Sequence, residues 1–382
     1  MDKKITMPAR KVDARKFDVV VVGGGTGGII AAIAAARTGA HTALVEAKGY
    51  FGGTLVDAVT ALHSFFNNWK TFDREKVQLV RGIPSELVDR VIARGGGTGH
   101  CEMEMHYEYD AVCTAVNPEV YKLVAHEMVD EAGVKTFMNT TMIDTLMENG
   151  RVSAVLVSNH SGISALEADC FIDATAYGDL CASAGAAFTE PNDKMISAPI
   201  GINGVDMDRY AEFFKSYGAF SDCARGLRDG EENQIVRVNG NMALLPEEFR
   251  RACKEIGLPL IITATHKDQF LFMKLDYKLP VSPTDRDAMS AAELAIRKNQ
   301  EKAAKKREKA GLPPQKITQA ATQSVRNIQV QENEEPSAEE KEAARKASTE
   351  YYNSNQEYRA GSIAAKANMV KQFDEKNSKK KK

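Results

Sequence analysis

Between Val19 and Glu46 the chain reads VVVVGGGTGGIIAAIAAARTGAHTALVE, and its glycines fall where side chains would obstruct one particular chemistry. Gly23 allows a tight turn out of a strand, Gly25 lets bare backbone approach a diphosphate, and Gly28 lets a helix and a strand pack closely. With Gly24, Thr26 and Gly27 they form a loop ahead of an alanine-rich segment. The unpaired N–H groups and positive dipole end of such a helix attract a diphosphate without a lysine. Glu46 follows Gly28 by 18 residues, with Ala47 behind it. A carboxylate there accepts hydrogen bonds from the hydroxyls of an adenosine ribose and repels a 2′-phosphate. The pattern therefore argues against NADP and leaves FAD and NAD open.

Other residues offer weaker chemistry. His63, in TALHSFF, follows the pair Gly52-Gly53, and an imidazole there could shuttle a proton near neutral pH. The competing reading is a packed, hydrogen-bonded histidine. His100, Cys101, His106 and Cys113 match no zinc spacing, and the six cysteines contain no CxxC pair. Buried thiols and no metal are expected.

The elements that would position these groups follow from periodicity. Strand, glycine turn, helix and second strand over 17–46 make a βαβ unit, the start of a doubly wound parallel sheet. Pro118 and the helical spacing of Val120, Leu123, Val124 and Met128 predict a helix over 118–130. The runs VKTFM, MIDTLM, VSAVLV and CFIDATA, with turn signals at Asn149-Gly150 and Asn159 to Gly162, predict a β-meander returning to a parallel strand. Helices are expected near 208–217 and 246–256, and a strand at LPLIITAT. Ser290 and Glu293 form a capping-box pattern that would open a charged helix ended by Gly311 and Pro313-Pro314.

The fold class expected is α/β. A Rossmann-like nucleotide-binding domain with parallel sheet and β-meander spans 17–185, behind an arm at 1–16. A mixed α+β substrate-side domain and charged helix fill 186–330, and a polar, disordered tail fills 331–382. With 43% apolar residues the chain can bury a large core, and its net charge of −2 gives no pull toward nucleic acid or an anionic membrane. The apolar run at 17–36 is broken by five glycines and suits a buried strand and helix better than a membrane span. Residues 1–16 lack the pattern of a secretory signal, so a cytoplasmic location is expected. A small-molecule substrate is the expected partner, and oligomeric state is left open.

Three blocks resemble the FAD-dependent oxidoreductases built like glutathione reductase and fumarate reductase. The first is the glycine loop with EAKGYFGGT behind it, where Gly52, Gly53 and Thr54 are similar to a glycine pair that lies along the FAD diphosphate and flavin. The second is NPEVYKLVAHEMVDEAGVKTFMNTTMIDTLMENGRVSAVLV, which places the backbone near Met142 at the adenine contact. The third is CFIDATAYGDLCASAGA, which is similar to the family's second FAD motif; Ala174, Thr175 and Asp179 fit it. Ala176 and Tyr177 depart from it, and a Cβ at Ala176 would crowd the cofactor if that position needed a positive φ. Arg326 resembles an arginine of the same branch that could hold a substrate carboxylate. The family's closing glycine-containing segment has no counterpart in 331–382. The resemblance implies a flavin-dependent oxidoreductase. The alternatives are an NAD-dependent dehydrogenase and a non-catalytic Rossmann scaffold that binds a partner.

Overall fold

The structure, a computed structural model, describes residues 9–57, 62–105, 111–189, 195–197, 200–202, 206–255, 262–264, 271–273, 276–278, 284–295 and 298. Two sheets carry the architecture. In chain order the first elements are β1 (Asp13–Val22), α1 (Thr26–Arg37), β2 (Thr42–Val45), α2 (Thr54–Asp57), β3 (Leu62–His63), α3 (Trp69–Phe72), α4 (Ile83–Ala93), β4 (Cys101–Glu102), β5 (Val112–Ala115) and α5 (Pro118–Glu131). They are followed by β6 (Lys135–Phe137), β7 (Thr141–Glu148), β8 (Arg151–Asn159), β9 (Gly162–Asp173) and α6 (Asp179–Ser183).

The larger sheet has the order β6-β2-β1-β9-β8-β7. Strands β6, β2, β1 and β9 run parallel, and β8 and β7 close the meander antiparallel. Val20, Val21 and Val22 of central β1 are buried, as a continuous apolar run in a parallel sheet must be. Helix α1 turns Gly28, Ile29, Ala32 and Ile33 inward against β1, and its small residues let it lie close. Helix α5 starts where the proline signal put it. Asn117 caps it by accepting the Glu119 and Val120 N–H groups at 2.9 and 3.2 Å. The Asn149-Gly150 turn is left-handed at both residues (φ 51° and 76°), the conformation that two-residue hairpins favour. Strand β1 begins at Asp13, four residues ahead of the apolar run, because β9 extends to Ser164 and pairs with the polar residues too.

The remaining elements are β10 (Met195–Ser197), β11 (Ile200–Ile202), α7 (Met207–Ser216), β12 (Phe220–Arg228), β13 (Glu231–Gly240), α8 (Glu247–Glu255), β14 (Ile262–Ala264), β15 (Leu271–Met273) and β16 (Asp276–Lys278). The three-stranded groups β3-β5-β4 and β12-β13-β14 meet through a bridge between Met103 and Ala224. The Glu104 and Leu227 N–H groups extend the seam to Cys223 O and Thr98 O, at 2.8 and 3.0 Å. This second sheet thus draws strands from residues both before and after the first sheet's meander. One face packs under α7, whose Met207, Tyr210, Ala211 and Phe214 are buried with Cys223, Ile235 and Val238.

The charged helix does not open at Ser290. Residues 286–295 are helical, Asp285 accepts the Ala288 N–H at 2.9 Å, and the Ser290 hydroxyl donates to Arg286 O. An earlier acidic cap outcompetes the serine, which then bonds back within the helix. His106, Gly311, Pro313-Pro314, Arg326, the tail at 331–382 and most of LPLIITAT lie outside the described residues. No described helix is long and apolar enough to cross a membrane.

Candidate functional site

The glycine loop sits at the carboxyl end of β1, between β2 and β9, where open α/β sheets bind ligands. Gly23 has a φ of 103° and donates its N–H to Val45 O at 2.8 Å. A side chain at Gly28 would overlap the Gly23 carbonyl, whereas one at Gly27 would meet nothing within 4 Å. Gly25 is the N-cap of α1. It brings no capping side chain, and the first turn contains no acidic residue, so the helix end is left to an outside anion.

Glu46 lies at the end of β2 as its spacing required. Its Oε2 accepts the Gly24 N–H at 2.7 Å and its Oε1 accepts the Lys48 N–H at 2.8 Å. Each oxygen keeps a lone pair for a hydroxyl donor. Ala47 follows it in the turn toward Lys48. Gly52 and Gly53, at φ 128° and 53°, come back against the loop: the Gly52 N–H bonds Gly24 O at 2.9 Å, and a Cβ on Gly53 would lie 2.9 Å from Gly25 Cα. Thr54 opens α2 directly after them. From α2, Asp57 pairs with the Lys48 ammonium and accepts the Tyr50 hydroxyl at 2.9 Å, fastening both ends of the turn. Burial would lower the Lys48 pKa, but the hydrogen bond and charge of Asp57 outweigh it and raise it.

Across β1, the second motif is ordered by Asp173. It accepts the Thr175 N–H and hydroxyl at 3.0 and 2.7 Å on one oxygen and the Cys181 N–H at 2.9 Å on the other. Burial pushes its carboxyl up, yet these donors hold it below the ordinary carboxylate value. Ala174 anchors to Val22 O through its N–H at 2.9 Å. Ala176 is not in a left-handed conformation; Gly178 is, at φ 73°, so the crowding expected at Ala176 does not arise from its backbone. Asp179 opens α6 with its side chain exposed. Met142 lies on β7 opposite Val157, next to a bulge.

His63 lies in β3 opposite Thr114 of β5, and its side chain falls outside the described residues. Sequence reasoning placed no function on Phe65, which walls a groove of about 320 Å³ with Thr26, Gly27, Val80, Leu87 and Tyr121. The groove opens from the first turn of α1, and its walls are mostly apolar. Only tertiary packing assembles it, because Phe65 and Val80 belong to a segment without helical or strand periodicity. Among the described residues no group of three or more histidines, cysteines and carboxylates could hold a metal ion.

Residues 18–252 match the family described as FAD dependent oxidoreductase. The chain belongs to the FAD-dependent oxidoreductase family. It is 42% identical over 79 residues to dihydrolipoyl dehydrogenase of Trypanosoma brucei brucei, covering 19% of this chain and 16% of that one. It is 31% identical over 152 residues to thiamine thiazole synthase of Aeropyrum pernix, covering 37% and 44%. The chain thus spans less than half the length of these curated relatives. Among solved structures it is similar to a geranylgeranyl bacteriochlorophyll reductase-like protein from Thermoplasma acidophilum, at a TM-score of 0.42 and 16% identity, covering 69% of this chain and 57% of that one. The family match favours the flavin over the nicotinamide dinucleotide that the glycine loop alone left open.

FAD is the cofactor of this family, and the residues present fit it. The α1 end has neither a capping side chain nor an acidic residue, Gly27 leaves open space beside it, and a fixed carboxylate stands at the end of β2.

Proposed function

We propose that this protein transfers a hydride or electron pair between an organic small molecule and FAD. The supporting observation is the meeting of three FAD-type features at one end of the sheet: the uncapped α1 end, Glu46 fastened by two N–H groups, and the Gly52-Gly53 turn against Gly25. In this reading Gly25, Thr26, Gly27 and Gly28 hold the diphosphate, with Gly23 and Gly24 shaping the turn. Glu46 and Ala47 receive the adenosine ribose, and the backbone at Met142 meets the adenine. Gly52, Gly53 and Thr54 run along the diphosphate toward the flavin, and Ala174, Thr175 and Asp179 flank its sugar-alcohol chain. The flavin ring supplies two-electron chemistry when bound, taking a hydride from a reduced substrate or giving one to an oxidised substrate. The chain's own part is placement: helix-end N–H groups neutralise the diphosphate, and apolar walls exclude water from the groove beside it.

An absorbance scan of the purified full chain, before and after incubation with FAD and again on the supernatant after heat denaturation, tests this. Flavin bands that stay with the protein through desalting are expected. Protein that is colourless and gains no flavin band would sink the reading, and tighter binding of NAD than of FAD in calorimetry would replace it.

A further inference from the structure

The segment between β3 and α4 carries apolar side chains toward the protein and toward solvent alike. Phe66 forms an antiparallel bridge with Gln78, the Leu79 and Val80 N–H groups donate to Phe65 O at 2.8 and 3.1 Å, and the Asn67 N–H donates to Val77 O at 3.0 Å. The two limbs of the segment therefore run side by side. Phe65 and Val80 wall the groove beside α1, whereas their neighbours Phe66 and Leu79 line a separate cavity of about 250 Å³ together with Phe72 and Arg74. A surface segment of this kind normally turns polar residues outward. Here Leu79 is 66% exposed, Phe72 56% and Val77 37%, a concentration of large apolar groups within eight residues. Clustered exposure of this sort marks an interaction site, where scattered single residues would not.

The charges around the patch say what covers it. Residues 66–81 hold four cations, Lys70, Arg74, Lys76 and Arg81, against two carboxylates, Asp73 and Glu75, a local excess of two positive charges in a chain whose net charge is −2. Lys70 is tied to the Met103 and Met105 carbonyls and Lys76 to Glu102, but Arg74 and Arg81 form no ion pair among the described residues. Trp69, partly buried, opens α3 three residues before Phe72. Exposed apolar side chains with arginines beside them and a tryptophan behind suit the headgroup layer of an anionic bilayer. Nucleic acid fits less well, because the ring faces that would stack on bases are taken: Lys76 Nζ lies 5.3 Å from the Phe66 and Trp69 centroids, and the Arg74 guanidinium 5.4 Å from that of Phe72. A second copy fits less well too, since a twofold contact would set the positive excess against itself.

We propose that residues 66–81 dock this protein on an anionic lipid surface, with Phe72 and Leu79 entering the interfacial layer and Arg74 and Arg81 meeting the anionic headgroups. Such docking needs no membrane-spanning helix, and it is independent of whether FAD binds.

Trp69 is the chain's one tryptophan, so its emission reports on this segment alone. The full chain is mixed with vesicles of phosphatidylcholine, with and without one part in four of phosphatidylserine, and sedimented. Binding to the phosphatidylserine vesicles is expected, weakening as salt is added, with Trp69 emission shifted to the blue and quenched by brominated acyl chains. Phe72→Ser combined with Leu79→Ser should weaken binding by on the order of tenfold or more, because both side chains lose apolar area to bury. Arg74→Glu, at an exposed position that leaves the fold intact, should weaken binding to the anionic vesicles while retaining the far-ultraviolet circular dichroism of the unaltered chain. Protein that stays in the supernatant overturns the proposal, as does binding that leaves Trp69 emission unmoved or that both variants keep in full. A patch that instead binds single-stranded oligonucleotide, or that holds two copies of the chain together until Phe72 and Leu79 are replaced, also overturns it.

Discussion

Two neighbouring glycines separate folding from binding. A Cβ at Gly28 would overlap the Gly23 carbonyl, an obstruction made of backbone that no rotamer relieves. Gly28→Ala should therefore cost about 3 kcal/mol or more, at the upper end of overpacking effects, read as a fall in the midpoint of chemical denaturation without cofactor. Gly27→Ala meets nothing within 4 Å and adds a helix-favouring residue to α1, so the FAD-free midpoint should hold or rise. Its Cβ instead enters the space assigned to the diphosphate, and FAD affinity should fall by roughly tenfold or more in a fluorescence titration. Equal affinity in Gly27→Ala and the unaltered chain would place the diphosphate elsewhere.

Among the elements, the seam between β4 and β12 has the most exposed energetics. Asp222 on β12 is fully buried; its Oδ1 accepts the Met105 and Cys223 N–H groups at 2.8 Å each, while its Oδ2 has no hydrogen-bond partner among the described residues. Burial pushes its carboxyl above the ordinary value of 3.8, with Glu104 adding to the shift and the two N–H donors and Lys70 opposing it. A raised folded-state pKa means that the ionised form is disfavoured in the fold. The stability tied to Asp222 is whole below 3.8 and is lost as the pH rises through the raised value. Asp222→Asn keeps an oxygen for the two donors and removes the buried charge. Urea denaturation midpoints should show this variant gaining on the unaltered chain between acid and neutral pH. A variant that loses ground as the pH rises would show that the ionised carboxylate holds the seam together.

For the whole molecule, the proposed FAD contacts lie just past the ends of β1 and β2, on α1, α2 and β7, and in the segment after β9, far apart in sequence. A ligand that bridges them stabilises the folded state by mass action, by about 2.7 kcal/mol at a hundredfold excess over its Kd. A thermal melt with FAD at that excess should shift upward as one cooperative transition, while NAD at the same concentration should shift it little. The sequence by itself determined much of this assembly. Local rules dictated the βαβ unit, the α5 start at Asn117-Pro118, the meander with its Asn149-Gly150 turn, and Glu46 at a strand end, because strand and helix periods and turn residues act over a few positions. Local rules also misplaced the charged helix at Ser290, where an aspartate five residues earlier makes the cap. What they could not reach were contacts joining distant segments. The seam between Met103 and Ala224 and the groove wall at Phe65 both depend on which residues come face to face after packing. The glycine loop needs only its own neighbours to be recognised as a diphosphate cradle. The groove beside it needs Phe65 and Val80 brought against the first turn of α1, and only the tertiary structure does that.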